Sequence, residues 1–427
     1  MTVIALLVAC FMWLAGMRTC RLRDTGHRTP EYWWASAAFL FGGIGTLGSF
    51  GFFALTYTQS ATLRLAPLVA IALVMTYHTL RTGHAFISQT GLALLFFFGI
   101  AFAGEGLAMP IASLLVYLPA IIVPKKGYDL GSLRAGAAAG TSLFLLFISG
   151  LCLTQPSVML GPCRSADKCS SFGVALGAMS AGNALGMYLA AASAVALLGA
   201  TSWRSFLLTL AGSLVLTELT ASRSALAAWF VIVGLVVAYR LSQALRSLTP
   251  IRLATLAVCI TAAAIPFMDW NASQLTYRPI LWWYALSLIK ENPLLGYGAS
   301  YWVRDDNRFR SGRGFSLGLN YSTHNIVLEL LISAGILGGL AFVAVLFLAV
   351  VNARCFATST YTVALIGVFA ALSLTEVTSA PGRIYLFDGI GIYMLMAASA
   401  VGGLAVKASS DSIQPKTASA GTVRYSA

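Results

Sequence analysis

Residue types suited to moving a proton and holding an oxyanion stand at three separate points of this 427-residue sequence: His324 in STHNIVLELLISAGILGG, Arg223 in LTELTASRSALAAWF and Arg278 in LTYRPILWW. An imidazole has an ordinary pKa of about 6.5, so it can take the proton of a hydroxyl near neutrality. A guanidinium keeps its charge at any physiological pH and presents a planar fork that matches phosphate oxygens. Four further arginines, Arg304, Arg308, Arg310 and Arg313, crowd into WVRDDNRFRSGRG beside Asp305 and Asp306. They read either as a solvated charged face or as an anion cradle that binds substrate. Taken singly, Arg223 and Arg278 could equally snorkel from a helix end toward water.

The elements that must position these groups are apolar helices. Hydrophobic residues make up 58% of the chain and charged residues only 10%, with a mean hydropathy of +0.82. An ordinary soluble domain carries about 25% charged residues, so that class is excluded. Apolar segments long enough to cross a hydrocarbon core recur at residues 2 to 16, 36 to 57, 65 to 79, 90 to 105, 107 to 124, 135 to 153, 174 to 199, 206 to 220, 224 to 239, 253 to 268, 324 to 350, 360 to 378 and 385 to 405. Run length and the lack of period-two alternation make them helices rather than strands. The expectation is an all-α, polytopic transmembrane helical bundle of about 12–13 spans, because several segments fall short of the ~20 residues that cross a bilayer upright.

Basic residues orient the bundle. The first segment is followed by RTCRLR and preceded by no Lys or Arg, the reverse of a secretory signal, and is expected to be a retained helix. Placing the connections at 17 to 35, 80 to 89, 125 to 134, 200 to 205, 240 to 252, 351 to 359 and the C-terminal tail inside puts 16 of the 27 Lys and Arg there. The net charge of +13 is then mostly a topology signal, and no nucleic-acid partner is implied. Membrane lipids are the expected surroundings. With this orientation Arg223, Arg278 and His324 share one depth and face one aqueous surface.

Four regions follow: transmembrane helices over 1–268, an outward loop with an interfacial helix over 269–323, C-terminal transmembrane helices over 324–405, and a small, polar, disordered cytoplasmic tail over 406–427. The loop is too rich in Trp, Tyr, Leu and Ile for disorder. Its stretch from Pro279 to Lys290 reads as a helix with proline in the first turn, lying on the outer surface with its rings at the membrane interface. Cys163 and Cys169, also outward, are spaced to form a disulfide in an oxidising compartment, or to remain as two thiols. No spacing of Cys or His suggests a metal site, and no cofactor is expected. His27, His78 and His84 fall on the inward side, away from this chemistry.

The ordered motifs resemble a known family. His324 and Asn325 followed by Gly335 and Gly338 are similar to the histidine motif of the bacterial O-antigen ligase family, which also takes in O-antigen polymerases. YRPILWWYALSLIKENPLLGYG is similar to that family's arginine-led stretch ahead of the histidine, TASRSALAA to its outer arginine motif, and SAGNALGMYLA to its earlier asparagine-containing helix. The likeness covers roughly residues 170 to 350. The family is usually drawn with about twelve spans, so a thirteenth segment here would be a departure within the first 35 residues.

The resemblance implies an enzyme of the inner membrane, a glycosyltransferase moving a glycan from an undecaprenyl diphosphate carrier to an acceptor hydroxyl at the periplasmic face. His324 would be the general base, and Arg223 and Arg278 would meet the charge growing on the departing diphosphate. With no carboxylate placed as a second nucleophile, direct displacement would invert the anomeric centre. Lipid A-core is the leading acceptor. Alternatives are a polymerase for O-antigen or exopolysaccharide with the same chemistry, and a flippase or exporter that cleaves nothing. Asn325, expected to contact substrate, and Glu329 lie four apart on one helix face, able to orient the imidazole or line the carrier's entry. Gly335, Gly338 and Gly339 are expected to let a neighbouring helix approach closely.

Overall fold

The computed structural model describes residues 2–22, 29–48, 57–82, 85–103, 108–163, 169–176, 182–272, 274–303, 323–353, 355–374 and 388–401. About 80% of the described residues are helical, in 15 helices. In chain order they are α1 (Thr2–Leu22), α2 (Pro30–Gly48), α3 (Tyr57–Arg81), α4 (Gln89–Ala101), α5 (Ala108–Ile121), α6 (Leu130–Thr154) and the single turn α7 (Pro156–Met159). There follow α8 (Gly182–Gly199), α9 (Trp203–Leu219), α10 (Arg223–Leu245), α11 (Thr249–Ala264), α12 (Arg278–Glu291), α13 (Ile326–Val351), α14 (Phe356–Leu372) and α15 (Asp388–Ala398). Each of the thirteen apolar segments overlaps one of these helices. Among the described residues four helices are long and apolar enough to cross a membrane: α6, α10, the run Thr249–Phe267 that begins with α11, and α13.

Small residues set the packing. Gly136 and Gly140, one turn apart on α6, lie against the backbone of Tyr32 and Ser36 on α2, where a β-carbon would collide with main chain. α1 packs along α9, α13 along α4, α10 along α8, and α11 along α14. One large apolar core unites them, from Leu6 and Trp13 on α1 to Tyr393 on α15.

Among the described residues, short strands depart from the all-α expectation at the ends of helices. They are β1 (Ala85–Ile87) antiparallel to β2 (Ile122–Pro124), β3 (Tyr128–Asp129) parallel to β6 (Ala400–Val401), and β4 (Leu160–Pro162) antiparallel to β5 (Val174–Leu176). The apolar segment expected to begin at residue 174 therefore starts as a strand, because Val174–Leu176 pairs with Leu160–Pro162 before α8 begins.

The two ends of the bundle differ in chemistry. At one end the C-terminal carbonyls of α8 receive arginines: Arg134 Nη2 donates to Gly199 O at 2.9 Å and Arg240 Nη2 to Ala200 O at 2.8 Å. Cations at a helix C-terminus meet its partial negative charge. At the other end the start of α10, the end of α11, α12 and the start of α13 come together.

The helix α12 adds to the reading of its loop. It is bounded as expected, by Pro279 in the first turn and by Asn292 before Pro293. It does not simply lie on the surface. Leu281, Trp282, Ala285 and Leu288 pack with Tyr301, Trp302, Leu328 and Ile332 in a second core. Trp282 is fully buried whereas its neighbour Trp283 is 49% exposed, so only some of the rings are left for an interface.

Candidate functional site

Arg278 and Arg223 are each the first residue of a helix. Arg278 is buried, at 7% exposure, and its Nη1 donates to Ser224 Oγ at 3.3 Å. Ser224 is the chain neighbour of Arg223, so this bond brings the start of α12 against the start of α10. Arg223 itself is exposed. One turn along α12, the Trp282 indole Nε1 donates to Thr323 O at 2.9 Å. Thr323 precedes His324, which is half-buried. Two hydrogen bonds thus gather the stretches carrying Arg223, Arg278 and His324 at one end of the bundle.

Asn325 shows how α13 is started there. It is the N-cap: Oδ1 accepts from Val327 N at 3.0 Å and from Leu328 N at 3.2 Å, satisfying two of the orphan donors of a first turn. Its Nδ2 donates to Ala262 O near the end of α11, at 2.9 Å. With the side chain fully buried and both ends of its amide engaged within the protein, Asn325 is a cap and a strut. Glu329 is fully buried too, and its Oε2 lies 3.1 Å from both Thr323 N and Thr323 Oγ1.

Backbone strain gathers at the same place. Among the described residues five non-glycine residues have positive φ: Ala221, Arg246, Leu275, Tyr277 and His324. Ala221 stands two before Arg223, Tyr277 directly before Arg278, and His324 is itself in this state. Each such conformation costs on the order of 1–3 kcal/mol, and such costs persist where surrounding structure holds the backbone in place, commonly at functional sites.

Gly335 of the histidine motif has a different use from the one expected. Gly335 breaks α13, with φ 61° and ψ −166°. The interrupted ladder is completed by the loop after α12: Tyr297 N donates to Ile332 O at 2.6 Å and Gly298 N to Ser333 O at 3.1 Å, while Ile336 N donates to Pro293 O at 2.8 Å and Leu337 N to Leu294 O at 3.2 Å. A β-carbon at Gly335 would strike the backbone of Leu294, and one at Gly296 that of Ile332. What approaches Gly335 closely is therefore loop backbone. Broken helix backbone of this kind is tolerated in a membrane protein when other protein groups satisfy it. The loop is anchored once more by Ala299 N donating to Ala101 O, at the end of α4, at 2.9 Å.

Two further features adjoin the site. Cys163 and Cys169 are bonded, with Cα atoms 4.8 Å apart, and close the hairpin of β4 and β5. Ser171, just beyond, donates through its N and Oγ to Glu218 Oε1 at 2.9 and 2.8 Å, tying the hairpin to the end of α9, five residues before Arg223. Below Asn325, an apolar groove of about 360 Å³ runs between α11, α13 and α14, from Ala262, Ile326 and Val327 past Gly339 to Leu346 and Phe369.

Arg304, Arg308, Arg310 and Arg313 lie outside the described residues, as do Asp305, Asp306, His27, His84 and the tail over 406–427. His78 is exposed near the end of α3. Sequence reasoning missed Trp282, Ser224 and Thr323 as positioning groups. Only Thr323 carried a local signal, a hydroxyl two residues before an N-cap. No curated protein matches the chain. A family model described as O-antigen ligase matches residues 170–343, which run from the hairpin through the breaks and caps just described. Over residues 170–343 the chain is thus similar to the O-antigen ligase family.

Proposed function

We propose that the chain is an inner-membrane glycosyltransferase that moves a glycan from undecaprenyl diphosphate to an acceptor hydroxyl, on lipid A-core, at the periplasmic face. The observation that carries this reading is the meeting of three helix N-termini, those of α10, α12 and α13, two of which begin with arginine, beside the His324 turn. Helix N-termini and guanidiniums both favour negative charge, and an arginine at a helix start works against the helix dipole. A site that concentrates positive potential in this way suits a diphosphate.

In the reaction, His324 takes the acceptor proton as the oxygen attacks the anomeric carbon. The new bond is carbon to acceptor oxygen, and the bond to the diphosphate oxygen breaks with inversion. The diphosphate departs as an anion, and Arg223 and Arg278 stabilise it. These cations suffice for the leaving group, so the reaction is expected to survive EDTA. The apolar groove below Asn325 fits a prenyl chain whose diphosphate sits at the helix starts.

Cells lacking the chain supply the test. Intact long glycan chains left on the carrier support ligation, single repeats on the carrier mean that the chain polymerises instead, and an unchanged pool of carrier-linked glycan refutes both.

A further inference from the structure

Thr323 is fully buried and every polar group it owns is engaged. Its N–H donates to Glu329 Oε2 at 3.1 Å, its carbonyl accepts from Trp282 Nε1 at 2.9 Å, and its hydroxyl lies 2.7 Å from Asn325 O and 3.1 Å from Glu329 Oε2. On the far side of His324, Asn325 is held by its capping bonds and by Ala262 O. His324 is thus a single residue at φ 54° between two immobilised neighbours. Left-handed backbone costs a residue with a β-carbon about 1–2 kcal/mol, so a free turn would relax to negative φ and swing the imidazole away.

A carboxylate is an expensive group to bury in an apolar bundle. Asn325 caps α13, and Glu329 turns back to accept from Thr323 N and to lie beside its hydroxyl. We infer that Thr323 and Glu329 are positioning residues that hold His324 in its left-handed conformation and so aim its imidazole, an inference resting on the proposed role of His324 as base. Neither residue touches the reacting atoms. They act through the turn, with Trp282 as the third support.

Displacing a catalytic group by about 1 Å typically costs on the order of a hundredfold in rate while leaving binding intact. Turnover and donor KM are therefore to be measured on the purified full-length protein with a lipid-diphosphate-linked glycan and a glycan acceptor. Thr323→Val, which keeps shape but loses the hydroxyl, should lower kcat by about tenfold to a hundredfold with donor KM within about twofold. Thr323→Ser should recover most of the loss, and Glu329→Gln, which keeps an acceptor oxygen, should fall between the two. Should Thr323→Val not fold, the Ser and Gln variants carry the comparison. Unchanged kcat per folded molecule in Glu329→Gln and Thr323→Val, or a raised KM in place of a lowered kcat, overturns the inference. His324→Ala is run beside them: full turnover in that variant would overturn the base assignment itself, whereas its loss together with normal Thr323 and Glu329 variants would overturn only the positioning role.

Discussion

The indole of Trp282 donates to the main-chain carbonyl of Thr323 at 2.9 Å, fastening the helix that opens with Arg278 to the residue before His324. Trp282→Phe removes that bond but fills much of the same buried space. We expect turnover to fall by about tenfold, the loss of roughly 1 kcal/mol from one hydrogen bond plus misalignment of the turn. Kinetics on monodisperse protein check this, and a rate within twofold of the original would remove Trp282 from the supporting set.

Arg223 and Arg278 carry the electrostatic share of the account. Replacing either by Ala should cost roughly a hundredfold in turnover, the usual consequence of losing one donor at a developing charge. Lysine at position 278 should rescue poorly, because the buried guanidinium of Arg278 also holds Ser224 and a point charge cannot reproduce its fork. Lysine at the exposed position 223 should rescue better. Equal rescue at both positions would contradict the geometry.

Gly335 and Gly296 lock the broken α13 to the loop after α12. Gly335→Ala adds a β-carbon against the Leu294 backbone at φ 61°, so abundance and thermal stability should both drop sharply. Gly150→Ala on α6 is the control, since open space surrounds that position. It should be neutral or stabilising by up to about 1 kcal/mol. Thermal unfolding of the two variants in detergent separates the cases.

The Cys163–Cys169 bond reports on sidedness. In intact cells both thiols should resist a maleimide reagent until a reductant is added, as expected of a pair exposed to an oxidising compartment. Labelling without reductant would place the hairpin, and with it the Glu218 end of α9, on the opposite side from the one proposed.

Much of the helix framework could be read from the chain, because apolar run length is a local property and each of the thirteen runs overlaps a helix. The limits of α12 were equally legible in Pro279 and Pro293, whose backbone restrictions act on immediate neighbours. Partners distant in sequence were not. Nothing local tells Trp282 from Trp283, and which ring is buried depends on where α13 lies. Gly335 read as a helix contact because the loop that completes the broken ladder comes from about forty residues earlier, and spacing carries no trace of such a bond. Asn325 was visible as a polar residue at a helix mouth, yet only the position of Ala262 turns its amide into a strut. The sequence held the histidine and arginines in view but concealed how the turn around His324 is fixed.

The imidazole of His324 is the group on which turnover depends most directly. Purified protein should be given a lipid-diphosphate-linked glycan and an acceptor, and product formation compared for the original chain and His324→Ala at matched folded concentration. A general base contributes about a hundredfold to ten-thousandfold, so the variant should lose at least about a hundredfold in kcat with unchanged thermal stability. A variant that still transfers glycan within about twofold of the original rate would contradict the account.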